Sequence, residues 1–525
     1  MVVAAHPLAV EAGLKILKAG GNAVDAAIAT AAALNAAEPF ASGIGGGGFM
    51  IIYLAENGQV RVINFREKAP RSAYPRMFAE KGEAAETWRT TKGTAVAVPG
   101  ALAGWSLALK RYGTKTLEEV IQPAIEITEK GFPVSETFSN INKEEYEKLL
   151  ANAGEETVYL NRGLPYEPGD YFHNPDLAQT LRRIGREGIE LFYRGEIAAK
   201  IVRAVQEREG GMTLEDLASY QPLDVEPIHG KYKGKDIFTI PPPGSGLFLL
   251  ELLQIAANWP IHAWERDSSL YLHHLSEAMR LVFADREAFL GDPEFVSVPV
   301  ERLLSPELAR NKAKLVQPNR VLGNYSPEKL AKEKNSGNTT HLCVVDPAGN
   351  AVSLTQSINY FFGSGIIPEG TGFILNNTMN DFATGDTGPN VASPGRRPAS
   401  SMAPLLMFEN GRLRLILGSP GGTRIFPTLS EIIINIVDFG LSLDAAIEAP
   451  RFFSYSQGGL ARPLSLEPRF SPATIKGLEA IGHKITLRQP FDTYFGGAQG
   501  IIIDRAKGLV LGGADSRRDG FGKGY

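Results

Sequence analysis

The chain has 525 residues, 43% of them hydrophobic and 21% charged, with a formal net charge of −4. Such a length can bury an ample core, in one large domain or several smaller ones, and such a composition excludes a disordered chain. The mildly acidic balance, with pI near 6.2, gives no general electrostatic reason to bind nucleic acid, although single Arg or Lys side chains can still hold small anions.

The start, MVVAAHPLAVEAG, has no basic leader followed by a long apolar run, so no signal peptide is expected. No stretch reaches 18 uninterrupted apolar residues, and even the one from Leu247 is broken by Glu251, so no membrane span is expected either. Two origins stay open: a cytoplasmic chain, or an extracellular or periplasmic one whose leader was trimmed. Residues 7–37 read as two Ala-rich helices around the break Gly20-Gly21-Asn22, and 25–37 is apolar nearly all round, which predicts deep burial. Gly43-Ile44-Gly45-Gly46-Gly47-Gly48 spells G-x-G-x-x-G, yet it follows a helix and opens a strand, the reverse of a dinucleotide fingerprint. No cofactor is expected there; the glycines instead let the segment pass tightly beside a buried sheet. Phe49 to Leu54 and Val60 to Phe65, joined through Asn57-Gly58, predict a hairpin.

From about 100 to 320 the helical pattern dominates. Thr116 with Glu119 and Thr213 with Asp216 have capping-box spacing, and Ser305-Pro306 and Ser326-Pro327 mark two further helix starts. His273 and His274 are the only histidines close in sequence, and neighbours do not share a helix face, so no histidine-rich metal site is expected. Pro241 to Gly246 forms a stiff turn ahead of a helix near Leu247. Gln317 to Asn338 is polar, and then strand-like runs follow at Thr340 to Asp346, Ala351 to Ile358, Met402 to Phe408 and Leu413 to Leu417. Helices from Pro427 to Asp438 and from Ser471-Pro472 onward precede a last strand pair, Gly497 to Asp504 with Leu509 to Leu511. This alternation predicts two central sheets with helices outside.

Thr339-Thr340-His341 stands where the polar run meets a strand. A threonine hydroxyl needs a base beside it; if the Asn338–Thr339 bond breaks, the new α-amine supplies one, with an ordinary pKa near 7.7 to 8.0. The plainer reading is a strand start rich in β-branched residues. Thr339, His341 and Cys343 share one strand face, and Cys343, the only cysteine, rules out an intrachain disulfide and reads as a packing residue near the site. Gly418-Ser419-Pro420-Gly421-Gly422-Thr423-Arg424 lacks the G-K-[ST] ending of a phosphate loop; it is either an anion-facing row of backbone N–H groups or a plain turn.

Several blocks together decide between these readings: His6-Pro7-Leu8-Ala9, 20–27 (GGNAVDAA), 42–50 (SGIGGGGFM), Phe65-Arg66-Glu67, Thr339-Thr340-His341, Leu375-Asn376-Asn377, Arg397-Pro398 with Ser400-Ser401-Met402, and 418–422 (GSPGG). Over essentially its whole length the chain resembles the γ-glutamyltranspeptidase (glutathione hydrolase) family of the N-terminal-nucleophile hydrolase superfamily. The resemblance implies an α+β fold, a four-layer αββα sandwich, made by a zymogen that cleaves itself. Its parts would be a large subunit, 1–338, and a small catalytic subunit, 339–525, associated as a heterodimer or further. It implies Thr339 as nucleophile and new N-terminus, Asn338 and Thr339 as the cleavage site, and Gly421 and Gly422 as oxyanion donors. Fixed donors of this kind are worth roughly 3 to 4 kcal/mol each. It also implies Arg66, with Ser400 and Ser401, on the substrate α-carboxylate, and Asn359 and Asp381 on the α-ammonium.

Three departures stand out. Ser357 replaces a second threonine beside the nucleophile, keeping the hydroxyl. Thr378 replaces a Gln or Glu against the α-ammonium and should loosen the grip there. Only a short run near 389–396 separates Asp381 from Ser400-Ser401, where many relatives carry a longer lid with a tyrosine, so an open cleft is expected. The activity implied is hydrolysis of glutathione and other γ-glutamyl amides, with transfer to water or to an amino acid or peptide. No metal, nucleic acid or membrane enters it. An acylase of the same fold acting on glutaryl or cephalosporin-type amides, and an inactive structural paralogue, are the alternatives.

Overall fold

In a computed structural model the described residues are 1–325 and 339–525. The proposed helix start at Ser326-Pro327 and the residue Asn338 lie outside them.

Two antiparallel sheets stack at the centre. Their strands are β1 (Val2–Ala4), β2 (Gly47–Leu54), β3 (Gln59–Asn64), β4 (Leu223–Val225), β5 (Ile228–Tyr232), β6 (Lys235–Thr239), β7 (Thr340–Val345), β8 (Ala351–Ser357), β9 (Leu405–Glu409), β10 (Arg412–Gly418), β11 (Gln499–Asp504), β12 (Leu509–Ala514) and β13 (Phe521–Lys523). The first sheet runs β13-β1-β7-β8-β2-β3-β4 and the second β12-β11-β10-β9-β6-β5. Strand alternation sorts the side chains. Leu342 and Val344 of β7 point to a core shared with helices, whereas Cys343 and Val345 point to the core between the sheets. Against the outer face of the first sheet lie α1 (Pro7–Lys18) and α2 (Ala23–Ala37), the latter opened by an Asn22–Asp25 capping box and buried along its whole length. Against the second sheet lie α3 (Gly246–Ala256), α4 (Ser269–Phe289) and α5 (Ile425–Val437). The order is helix, sheet, sheet, helix.

The Gly43–Gly48 segment behaves as its composition suggests. A Cβ on Gly45 would lie 2.0 Å from the Ile374 carbonyl oxygen, on Gly46 1.9 Å from that of Ser357, and on Gly48 2.2 Å from that of Thr355. Only glycine lets β2 lie against β8 at the end where Gly47 pairs with Ser357. Helix starts at Thr116, Thr213 and Ser305 are all capped as their spacing indicates.

Some expectations shift. The strand read from Met402 begins at Leu405, because Pro404 has no N–H for the ladder, and 402–404 instead run irregularly beside the site. The helix read from Pro427 begins two residues earlier, at Ile425. Within the region read as helical, β5 and β6 form a hairpin through Lys233 and Gly234, both at positive φ. Strands of three to five residues such as β1, β4 and β13 are too short to show a period.

Candidate functional site

β7 and β8 run side by side, with Thr340 opposite Gln356, so the residue before β7 and the last residue of β8 meet. Thr339 Oγ1 accordingly lies 3.4 Å from Ser357 Oγ and donates to it. Both are buried. They line one cavity with Arg66, Asn359, Asp381, Ala399, Ser400, Ser401, Met402, Gly422, Thr423 and Ile425. Residues separated by more than 300 positions converge there because the two sheets stack.

Arg66 follows β3 and is held from several sides: Nε donates to the Pro398 carbonyl (3.3 Å), Nη2 to that of Ala399 (3.2 Å), and Nη1 to Glu67 Oε2 (3.2 Å). Nη2 also pairs with Asp381. Burial pushes the Glu67 carboxyl above the ordinary range while Arg66 opposes that shift. The outcome is a fixed guanidinium beside a carboxylate, complementary to a zwitterion. Asn359 sits at φ 76°, a left-handed backbone for a non-glycine residue, its N–H donating to Ser357 Oγ (2.7 Å) and its Nδ2 to the Asn377 carbonyl (3.1 Å). Gly421 (φ 132°) and Gly422 (φ 56°) make the turn between β10 and α5. Neither backbone N–H meets a hydrogen-bond acceptor among the described residues.

Ser400 and Ser401 both face the cavity, but their hydroxyls already have partners. Ser400 Oγ accepts from the Met402 N–H (3.2 Å), and Ser401 Oγ accepts from Arg286 Nη2 (3.2 Å). Thr378 is not in the lining. Its hydroxyl donates to Glu67 Oε1 (2.8 Å), one step behind Arg66. The short run after Asp381 folds down onto the body: Asn390 Nδ2 donates to the Asp381 carbonyl (2.7 Å) and the Ala69 N–H to that of Arg396 (2.8 Å). None of residues 382–398 lines the cavity.

His341 points between the sheets, its Nδ1 at 2.8 Å from Thr355 Oγ1 and its Nε2 at 3.2 Å from Cys343 Sγ. Gly418 opposite leaves room for the ring: a Cβ there would lie 2.2 Å from it. Burial holds the imidazole neutral down to about pH 3, and among the described residues its ring nitrogens meet Thr355, Cys343 and Ser353 rather than Thr339. Burial likewise pushes the Cys343 thiol well above its usual range, which suits a packing role.

Two groups that sequence reasoning missed hold the Thr339 backbone. Arg518 Nη1 donates to the Thr339 carbonyl (2.9 Å) and approaches Glu38 Oε1 (3.4 Å), while Glu38 Oε2 accepts from Thr340 Oγ1 (2.5 Å). No local signal marks a contact between residues 179 positions apart. Burial raises the Glu38 carboxyl to about 7, against the pull of Arg518. A carboxyl raised on folding stabilises the fold below its unfolded value near 4.5 and loses that contribution as pH rises through 7. Glu38→Gln is therefore expected to flatten the fall in stability between pH 5 and 8 by on the order of 2 kcal/mol, read from urea unfolding at each pH. An unchanged slope would contradict the assignment.

Away from this cavity His273, Glu277 and His483 come together, with ligand-type atoms within 4.8 Å of one another. His273 Nδ1 and His483 Nε2 are 2.8 Å apart, and Glu277 is engaged by Arg280, Tyr325 and the Leu322 N–H. The cluster ties residues 317–325 to α4. No helix among the described residues is long and apolar enough to cross a membrane.

A threonine directly before a central strand, in an αββα sandwich whose cavity joins it to a glycine turn and an Arg–Asp pair, is the arrangement of an N-terminal-nucleophile hydrolase. The sequence model of γ-glutamyltranspeptidase matches residues 9–525, and the chain belongs to that family. It is 38% identical to the glutathione hydrolase proenzyme of Bacillus subtilis (strain 168), across 99% of this chain and 90% of that one. It is also 38% identical to the acylase ACY 1 proenzyme of Pseudomonas sp. (strain SE83), across 99% and 92%. The crystal structure of cephalosporin acylase from Bacillus halodurans superposes with a TM-score of 0.89 at 32% identity, covering 100% of this chain and 96% of that one.

Proposed function

We propose that the chain is a self-cleaving γ-glutamyl hydrolase and transferase that acts on glutathione and related amides through Thr339. The observation that carries this reading is one cavity lined by Thr339, Ser357, Gly422 of the glycine turn and the Arg66–Asp381 pair.

In maturation, Thr339 Oγ attacks the Asn338 carbonyl, the peptide nitrogen leaves as the Thr339 amine, and water hydrolyses the resulting ester. The products are subunits 1–338 and 339–525. Both sheets support a lasting pair, because β1 to β6 come from the large part and β7 to β13 from the small one. In turnover the Thr339 amine takes the hydroxyl proton as Oγ attacks the γ-carbonyl, and the N–H groups of Gly421 and Gly422 receive the oxyanion. The amine then protonates the departing nitrogen. Water or an amino acid resolves the ester. Arg66 with Ser400 and Ser401 receives the α-carboxylate, and Asp381 with Asn359 receives the α-ammonium; Ser357 orients the attacking hydroxyl.

Because the base is an amine with an ordinary pKa of 7.7 to 8.0, and the nearby Arg518 cation favours its neutral form, kcat/KM is expected to rise roughly tenfold from pH 6 to 7. The rise levels off near pH 8. A profile flat from pH 5 to 8 would contradict an amine base.

A second reading has its own support. The Thr378 hydroxyl rests on Glu67 rather than facing the cavity, and both the ACY 1 proenzyme and the Bacillus halodurans structure are acylases. γ-Glutamyl and glutaryl anilides differ only in the amino group, and a preference for the glutaryl compound would overturn the first reading. An inactive paralogue would cleave neither.

A further inference from the structure

Beside the Thr339 cavity lies a second, larger one of about 570 Å³, and Thr423 lines both. Its walls combine aromatic rings and cations. Phe453 and Tyr455 stack at 5.3 Å with an interplanar angle of 18°, and Phe283 meets Phe453 edge-on at 5.6 Å. The Tyr494 ring has two guanidiniums against it, Arg424 at 4.5 Å and Arg488 at 3.8 Å from its centroid. Arg424 Nε donates to the Tyr494 carbonyl (2.9 Å) and Nη1 to Thr423 Oγ1 (3.4 Å), which fixes it at the junction of the cavities. Among the described residues neither arginine has a carboxylate within the 4.0 Å of an ion pair, and the buried Arg488 Nε has no hydrogen-bond partner. Glu86 and Glu287 also line the cavity, the latter accepting from the Gly458 N–H (3.4 Å).

We propose that this cavity receives the part of the substrate beyond the scissile amide, and that Arg424 and Arg488 select leaving groups and acceptors bearing a free carboxylate. The inference rests on the γ-glutamyl reading of the Thr339 site and specifies its other half. A dipeptide released from Thr339 has its nitrogen at the junction and its C-terminal carboxylate a few bonds farther on, with the intervening side chain against the Phe453 and Tyr455 rings. Two cations fixed by one ring present a carboxylate with several N–H donors in a half-buried setting, where such bonds are stronger than in water. In the transfer direction the same carboxylate orients an acceptor. Its neutral amine attacks the Thr339 ester carbonyl, a new amide forms as the ester C–O bond breaks, and the amine's proton returns to Thr339 Oγ through the Thr339 amine.

The test compares glutathione with its C-terminal amide, two substrates that differ only in that carboxylate, so that steps common to both cancel in the ratio of kcat/KM values. The wild-type protein is expected to favour glutathione by about tenfold or more at low ionic strength, since a charge-assisted pair is worth at least that factor. Arg488→Gln is expected to bring the ratio below about threefold. Raising salt to 0.5 M should erode the wild-type ratio, which screening predicts for a half-exposed cation and which needs no variant. A wild-type ratio near one, or a ratio that Arg488→Gln leaves unchanged, overturns the subsite while leaving γ-glutamyl chemistry intact. Failure of wild type to cleave either compound overturns that chemistry and the subsite with it.

Discussion

Thr339→Ala is expected to remain one intact polypeptide of 56.7 kDa and to lose amidase activity by at least about 10⁴-fold. The substitution removes the hydroxyl that lies 3.4 Å from Ser357 Oγ in the cavity. It leaves the backbone contact from Arg518 to the residue 339 carbonyl, so folding should be little affected. Thr339→Ser keeps an oxygen and should still mature and turn over, more slowly. Two bands on a denaturing gel for Thr339→Ala would contradict the role, as would activity in that variant above a hundredth of wild type. Neither His341, neutral and turned into the intersheet core, nor Cys343, with its thiol held protonated, offers a substitute.

The second large effect is at Arg66. Arg66→Gln removes the cation from a site where Glu67 and Asp381 both face it, so two changes are expected together. Removing one partner of a buried charge network costs about 3 to 5 kcal/mol of stability, because the remaining carboxylates are left in a dry setting. For γ-glutamyl substrates kcat/KM should fall by roughly two to three orders of magnitude, from loss of the α-carboxylate contact. Stability comes from urea unfolding and kcat/KM from an anilide assay on the folded fraction. A folded variant within tenfold of wild-type kcat/KM would contradict the assignment of Arg66.

Much of this was legible along the chain, for reasons that differ by residue. Gly45, Gly46 and Gly48 were readable because a backbone lying within 2 to 3 Å of where a Cβ would stand admits no other residue. The Thr339–Cys343 face was readable because a strand alternates strictly, and the burial of 25–37 because that helix has no polar side. The hairpin of β5 and β6 was not, since its strands are short and their partner β9 lies more than 160 residues away. At the site, motif blocks name residues without saying where side chains point. Ser401 reaches toward Arg286, and Thr378 toward Glu67, only because segments remote in sequence are stacked there. The hold of Arg518 and Glu38 on Thr339 and Thr340 depends on three separate stretches meeting and leaves no trace in any one of them.

The most direct test of the central claim is the intact mass and N-terminal sequence of wild-type protein that is hydrolysing a γ-glutamyl anilide. Two polypeptides are predicted, the smaller one beginning Thr339-Thr340-His341-Leu342 and ending at Tyr525. Active protein whose only mass is that of the uncut 525-residue chain would contradict it, since a threonine with its nitrogen still in a peptide bond has no amine to serve as base.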